Sequence, residues 1–317
     1  MTRNLALMAA ATFALIAFSG CVSNDDIRIA YTFTDDDLNG DKNPQLIAQY
    51  LAAETGRTVT LFHVDNADAA LLAVGNGQAD IAFVDAVAGF FGWQTFDMDA
   101  IAADVNGDGR DHYVANAIVR ADSGITTFEE LRGTTSCHTG LKKSAGMFMP
   151  LGWMIGEGYA DASGHPDELS SIPAVVKTFF GDAIIPASDG LYYNYNGALQ
   201  CLSEGAGSVA FVKDTTPTDY CGTDAASWCL DLDQYVVLQE FGSVPTHPVM
   251  VGAHVDQATR DAVQTALVNL PAGHDVLAVL EADHLVAVND TETYLGPYAT
   301  NLQNVPGMSE YIDDKLA

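Results

Sequence analysis

Between residues 27 and 84, apolar stretches of strand length alternate with stretches of helical spacing, and this order restricts the fold more than any other property of the chain. Ile27 to Phe33 reads as a buried strand. A polar, acidic loop follows from Asp35 to Asn43, and Asn43-Pro44 supplies a cap and a proline where a helix begins. Leu46, Ile47, Tyr50 and Leu51 share one helical face, and Gly56 stops that helix. Val59 to Val64 is the next strand. Asp65 or Asn66 can cap a helix from Ala67 to Val74, Gly75-Asn76-Gly77 ends it, and Ile81 to Val84 is a third strand. Strand, helix, strand, helix, strand predicts a parallel sheet with helices on its faces, an α/β fold.

Residues 1–20 read as a secretory signal: Arg3, an apolar run from Leu5 to Phe18, then Ser19-Gly20 ahead of Cys21. The run is short for a membrane span, and no other stretch is apolar enough to cross one. Cys21 is placed as a lipoprotein-type cysteine, with Phe18 an unusual residue three positions before it, and residues 21–26 as a tether to the outer face of the cell membrane. Without the signal, 12 basic residues face 42 acidic ones, a net charge near −30. Such a surface disfavours nucleic acid and anionic membranes and suits salty water. Four cysteines remain besides Cys21, an even number that implies two disulfides in an oxidising compartment. No Ser/His/Asp or Cys/His arrangement has supporting context, so a catalytic role is not expected.

The stretch from Ser136 to Gly146, Ser-Cys-His-Thr-Gly-Leu-Lys-Lys-Ser-Ala-Gly, follows a polar turn and runs into an apolar segment, Met147 to Ile155, that reads as helix or buried strand. A hydroxyl, glycines and two lysines before a helix start can cradle an anion, because free backbone N–H groups and a lysine both attract negative charge. Read by themselves, the same residues fit more simply an ordinary capped helix with solvated lysines.

This segment resembles the anion-binding segment of the transferrin family. Tyr195-Asn196-Gly197-Ala198-Leu199-Gln200-Cys201 with Glu204 to Lys213 is similar to the family's second-tyrosine segment, and Val244-Pro245-Thr246-His247 to its histidine segment. The opening strands resemble phosphonate-type solute-binding proteins of transporters, which share the transferrin lobe. The resemblance implies a two-domain periplasmic-binding-protein-like lobe with an interdomain cleft and two crossing hinge strands. By it, domain 1 is residues 27–111 with a return segment at 249–317, domain 2 is 112–248, and the crossing strands lie near Tyr113–Arg120 and His247–Gly252. It also implies the pairing Cys137–Cys201, which leaves Cys221 with Cys229.

The family binds ferric ion through one Asp, two Tyr and one His together with a carbonate. A small, hard, highly charged ion prefers anionic oxygen donors. A phenol with a usual pKa of about 10 loses its proton to such an ion. Carried over by local context, the ligands are Asp85, Tyr113, Tyr195 and His247. Read without the resemblance, these are respectively a helix cap, a buried strand tyrosine, an aromatic packing residue and a core histidine. The anion would be held by the Thr139 hydroxyl, by Lys143 and by the backbone N–H groups of Ala145 and Gly146. Lys143 stands where the family has arginine and offers a point charge instead of a planar fork, so an anion other than carbonate is compatible with it. Lys142 is taken as solvated, and His138, His112 and the remaining histidines as structural. Asp104 to Asp111 resembles half a calcium loop but has Ala115 where the bidentate Glu belongs, and reads as a tight acidic turn.

Two functions fit these readings. One is an exported, tethered, monomeric ferric-binding protein for iron acquisition, with a transporter permease as the partner that tethering suggests. The other is a transporter receptor for phosphonate, phosphate or another oxyanion, which would use Thr139 and Lys143 but has no need of the four metal-ligand types as a set.

Overall fold

A computed structural model describes residues 26–32, 43–107, 109–223 and 225–308. The signal, Cys21, all of the tether but Asp26, the Asp35–Asp41 loop and Asp108 lie outside the described residues.

The predicted alternation is present. Strand β1 (Asp26–Tyr31), helix α1 (Gln45–Thr55), β2 (Thr58–His63), α2 (Ala67–Gly75), β3 (Ile81–Phe83), α3 (Ala86–Phe96) and β4 (Asp99–Val105) follow in order. The local chemistry explains the ends. Gly56 closes α1 at φ 67°, and the Asn66 side chain accepts from Ala69 N–H to open α2. The chain then crosses to a second sheet through β5 (His112–Arg120), β6 (Thr135–Cys137), β7 (Asp182–Ile184), β8 (Val209–Lys213) and β9 (Tyr235–Pro245), with the short helices α5 (Ile172–Val176) and α7 (Thr216–Cys221) between its strands. It returns to the first sheet through β10 (Pro248–Val251) and β11 (His284–Ala287).

The first sheet has the order β11-β4-β10-β3-β1-β2 and the second β7-β6-β8-β5-β9. Strands β1, β2 and β3 are parallel, as the crossover pattern requires. The first sheet as a whole is mixed, because β10 runs antiparallel to both β3 and β4, and β11 antiparallel to β4. That departure from an all-parallel sheet follows from the connection: β10 enters straight from β9 in the other sheet, without a crossover helix. The two crossings are residues 106–111, between β4 and β5, and Thr246-His247, between β9 and β10. The expected hinge strands are therefore the downstream halves of two longer strand pairs.

Apolar side chains fill both faces of each sheet. Ile27, Ile29, Ile81 and Val249 form a core with residues of α1 and of the later helices α8 (Gln257–Val268) and α9 (Asp275–Leu280). The opposite face contributes Ala30 and Ala82 to a core that continues without a break into Ala115, Ala117 and Met147 of the second half. The last described helix, α10 (Thr291–Leu302), lies across that junction. It packs on β9, on α3 and on α4 (Met149–Gly156), so the return segment assigned to domain 1 touches both halves. Fully buried Tyr298 places its hydroxyl 2.7 Å from Ser144 Oγ, and the Asn301 amide donates to Phe241 O at 2.9 Å. Gly152 permits this approach, since a Cβ there would overlap Asn301 O.

Both disulfides are present, Cys137–Cys201 and Cys221–Cys229, with Cα separations of 6.1 and 5.5 Å. The first ties β6 to helix α6 (Asn194–Ser203), and so joins the anion segment to the tyrosine segment.

Candidate functional site

A cavity of about 910 Å³ opens between the two sheets, at the crossings. Asp85, Tyr113, Tyr195 and His247, drawn from four distant parts of the chain, all line it, and so do Thr139 and Lys143. Asp85 ends the turn after β3. Its Oδ1 caps α3 by accepting from Ala88 N–H at 2.9 Å, and Oδ2 has no hydrogen-bond partner among the described residues. Asp85 is thus both a helix cap and a lining residue of the cavity. Tyr113 is at the start of β5, opposite Val244 of β9. Tyr195 lies in the first turn of α6, where Lys213 Nζ approaches its ring at 5.8 Å. Burial raises the pKa of both phenols, and the neighbouring Tyr195 raises that of Tyr113 further. Both are protonated at neutral pH, so a metal ion taking them as ligands would displace their protons.

His247 is held by Asp104. The carboxylate accepts from His247 N–H at 2.6 Å and from the ring Nδ1–H at 2.9 Å. This fixes the tautomer and leaves Nε2 free to face the cavity, the outer-shell arrangement usual for a metal-ligating imidazole. Burial pushes Asp104 up, but the bonds from His247 outweigh it and hold the acid below its ordinary value. Asp104 in turn raises His247. Sequence reasoning missed this role, because Asp104 read as part of an acidic turn. Asn106 Nδ2 donates to the same carboxylate at 3.0 Å, so its lone pairs are already engaged within the protein.

The anion segment is shaped from beneath. Ser144–Phe148 form a π-helical turn that continues into α4, settling the choice left open for Met147 to Ile155 in favour of helix. Met147 and Phe148 N–H both donate to Lys143 O, at 2.9 and 3.0 Å. The first N–H groups of such a turn have no acceptor within it. Ala145 and Gly146 are buried here and contribute backbone only. Thr139 is 1% exposed, and its hydroxyl has no hydrogen-bond partner although it lines the cavity. Gly146 lies directly against it: an added Cβ would overlap Thr139 Oγ1 and stand 2.7 Å from its Cβ and Cγ2. An orphaned buried hydroxyl beside a glycine-lined turn fits a small oxyanion, which would accept the unused donor.

His138 is structural, as expected, but it is a structural part of this cradle. Its Nδ1 donates to Gly146 O at 2.8 Å, and its Nε2 accepts from Ser136 Oγ at 2.9 Å. Burial lowers its pKa to about 4, so the ring stays neutral and keeps this tautomer. Lys143 Nζ sits 5.1 Å over the Tyr193 ring.

Charges of both signs gather here. Arg110, Lys142, Lys143 and Lys213, four of the chain's 13 lysines and arginines, line the cavity together with Asp85, Asp104 and Asp219. Lys142, taken as solvated, and His112, taken as structural, both face the cavity. Arg110 and Lys213 carried no sequence signal, since neither lies in a motif read for the anion. They are paired with Asp214 at 2.7 Å and Asp219 at 2.9 Å. Among the described residues no group of three His, Cys, Asp or Glu is placed to hold a metal, so a metal site here depends on the tyrosines. None of the helices in the described residues is long and apolar enough to cross a membrane.

The chain is similar to two kinds of known protein. A family model described as "ABC transporter, phosphonate, periplasmic substrate-binding protein" matches residues 39–293. The chain is 31% identical over 224 residues to a serotransferrin of Gadus morhua, covering 62% of this chain and 34% of that protein. It is 30% identical over 275 residues to a lactotransferrin of Desmodus rotundus, covering 68% of this chain and 37% of the relative. It is 29% identical over 297 residues to a serotransferrin of Bos taurus, covering 74% and 40%. The chain spans between about a third and two fifths of the length of these relatives.

Proposed function

Because the chain belongs to the family of phosphonate-type periplasmic substrate-binding proteins of ABC transporters and is a homologue of transferrins, we propose that it is an exported binding protein that captures Fe(III) together with a small oxyanion, carbonate in the first instance, in the cavity between its two sheets. The observation that carries this reading is the convergence of Asp85, Tyr113, Tyr195 and His247 on one cavity. Two phenols, a carboxylate and an imidazole are the hard donors a ferric ion prefers, and an oxyanion receptor has no use for that set. The ferric ion is cargo. Asp85, Tyr113, Tyr195 and His247 would hold it, and Thr139, Lys143 and the first N–H groups of the 144–148 turn, those of Ala145 and Gly146 included, would hold the anion.

The chain's own residues supply the rest. Asp104 accepts the Nδ1–H of His247, so Nε2 is the nitrogen left for the cargo, and a metal ion bound there would displace the proton that Asp104 favours on the ring. Asp85 belongs to the first half and Tyr195 to the second, so a ligand touching both favours closure about residues 106–111 and Thr246-His247. We assign the domains accordingly, 27–111 with 249–317 against 112–248, with α10 shared between them. Acid should release the cargo, because protons compete for the phenolates, His247 and the anion. Lipidation at Cys21, a monomeric state and delivery to a permease belong to the same proposal.

The second reading, a receptor for phosphonate, phosphate or another oxyanion alone, is favoured by the orphaned Thr139 hydroxyl, the four cavity cations and the family description. A ferric titration separates them. Purified protein titrated with Fe(III) should develop a visible phenolate-to-iron band that requires bicarbonate and is lost in Tyr195→Phe. A colourless protein whose melting temperature rises with phosphate or a phosphonate would overturn the iron reading in favour of the second.

A further inference from the structure

We infer that Asn194 is an anion-positioning residue whose side-chain amide donates a hydrogen bond to the oxyanion held beside Thr139 and Lys143. The inference rests on the anion part of the reading above and holds for either cargo.

Three observations lead to it. First, Asn194 has φ 63°, in the left-handed region. Among the described residues only Asp97 and Glu281 share a positive φ without being glycine, and both close the ends of helices, where that conformation is ordinary. Asn194 instead opens a helix, α6, immediately before Tyr195. Glycine would hold this backbone at least cost. Asparagine tolerates it better than other side chains do, and brings a carboxamide with it. Second, Asn194 N–H donates to Thr139 O at 3.0 Å, so its backbone is pinned to the residue whose buried hydroxyl is unpartnered. Third, Asn194 is exposed and lines the same cavity as Thr139, Lys143 and Tyr195, and its side-chain amide makes no hydrogen bond among the described residues.

The chemistry supplies the reason for retaining asparagine at a position that glycine would satisfy. Lys143 provides charge but no fixed direction, as an ammonium on a flexible stem. A carboxamide N–H at a pinned backbone position is directional. Together with the Thr139 hydroxyl it would orient an oxyanion that Lys143 only attracts.

The test uses Asn194→Gly and Asn194→Asp in the otherwise intact protein, free of iron, with bicarbonate and, separately, inorganic phosphate as probes. Anion affinity is read from the anion-dependent rise in melting temperature and from calorimetric titration. Glycine suits the backbone, so the anion-free melting temperature of Asn194→Gly should match or exceed that of the wild type, while anion affinity falls about tenfold, the worth of one hydrogen bond to a charged group. Asn194→Asp should lose anion binding altogether, by charge repulsion. With iron and bicarbonate added, Asn194→Gly should shift the phenolate-to-iron band, which a purely structural residue would not do. Equal anion affinity in the wild type and Asn194→Gly overturns the assignment of Asn194 and leaves the anion site standing. An anion-free Asn194→Gly protein that is clearly less stable than wild type also overturns it, by making the residue structural. No response of the wild type to either anion overturns the anion site itself, and Asn194 with it.

Discussion

Thr139→Val should stabilise the empty protein and disable it as an anion binder. The Thr139 side chain is 1% exposed, its hydroxyl has no partner, and its methyl and hydroxyl pack against Gly146. Burying a hydroxyl without a hydrogen bond costs about 1–3 kcal/mol. Valine removes that cost but replaces oxygen with a bulkier methyl at the contact with Gly146, so the net gain should be near the lower end, about 1 kcal/mol. The anion loses a charge-assisted hydrogen bond worth about 1.5–3 kcal/mol, a fall in affinity of roughly 10- to 100-fold. Urea denaturation of iron-free protein without bicarbonate measures the first quantity, and a bicarbonate titration followed by melting temperature measures the second. The two effects have opposite signs, which no general loss of packing can mimic. A valine variant that is less stable than wild type by about 1 kcal/mol or more and still binds bicarbonate normally would refute a ligand role for this hydroxyl.

Three further outcomes are expected. Gly146→Ala drives a methyl into the Thr139 side chain at 2.7 Å from two of its carbons, and should cost about 1–3 kcal/mol in thermal denaturation while weakening anion binding. Asp104→Asn should flatten the dependence of melting temperature on pH. Asp104 is held below its ordinary value and His247 above its own. Their pairing therefore contributes fully above the ordinary carboxylate pKa and below the ordinary imidazole pKa, is lost in acid as pH falls through the lowered Asp104 value, and is lost in base as pH rises through the raised His247 value. The His247 side chain is 66% exposed, so water screens the pair and the wild-type plateau should be shallow; a profile identical in both proteins would disprove it. Replacing Cys137 and Cys201 together with serine opens a loop spanning 64 residues and should lower stability by about 4 kcal/mol in the chain-entropy model, read by urea denaturation.

Local order in this chain was legible because it depends on neighbours in sequence. The alternation from Ile27 to Val84, the Asn66 cap and the Gly56 stop each involve groups within a few residues, and all stand where spacing placed them. The partnership of Cys137 with Cys201 and the gathering of Asp85, Tyr113, Tyr195 and His247 came from resemblance, since parity and residue type alone do not specify partners. What remained hidden was decided by contacts between distant segments. Asp104 and His247 are 143 residues apart, and Tyr298 and Ser144 154 apart. A carboxylate in an acidic turn looks like a solvated charge until a second crossing strand brings an imidazole to it. Arg110 and Lys213 look like isolated surface charges until the two sheets face each other across the cavity. The sequence by itself determined which segments become strands and helices, because backbone dihedrals and amphipathic period are local quantities. Only the tertiary structure decided that the Thr139 hydroxyl is buried without a partner and that Asn194 opens its helix in a left-handed conformation, because desolvation and close approach depend on what the rest of the fold brings alongside.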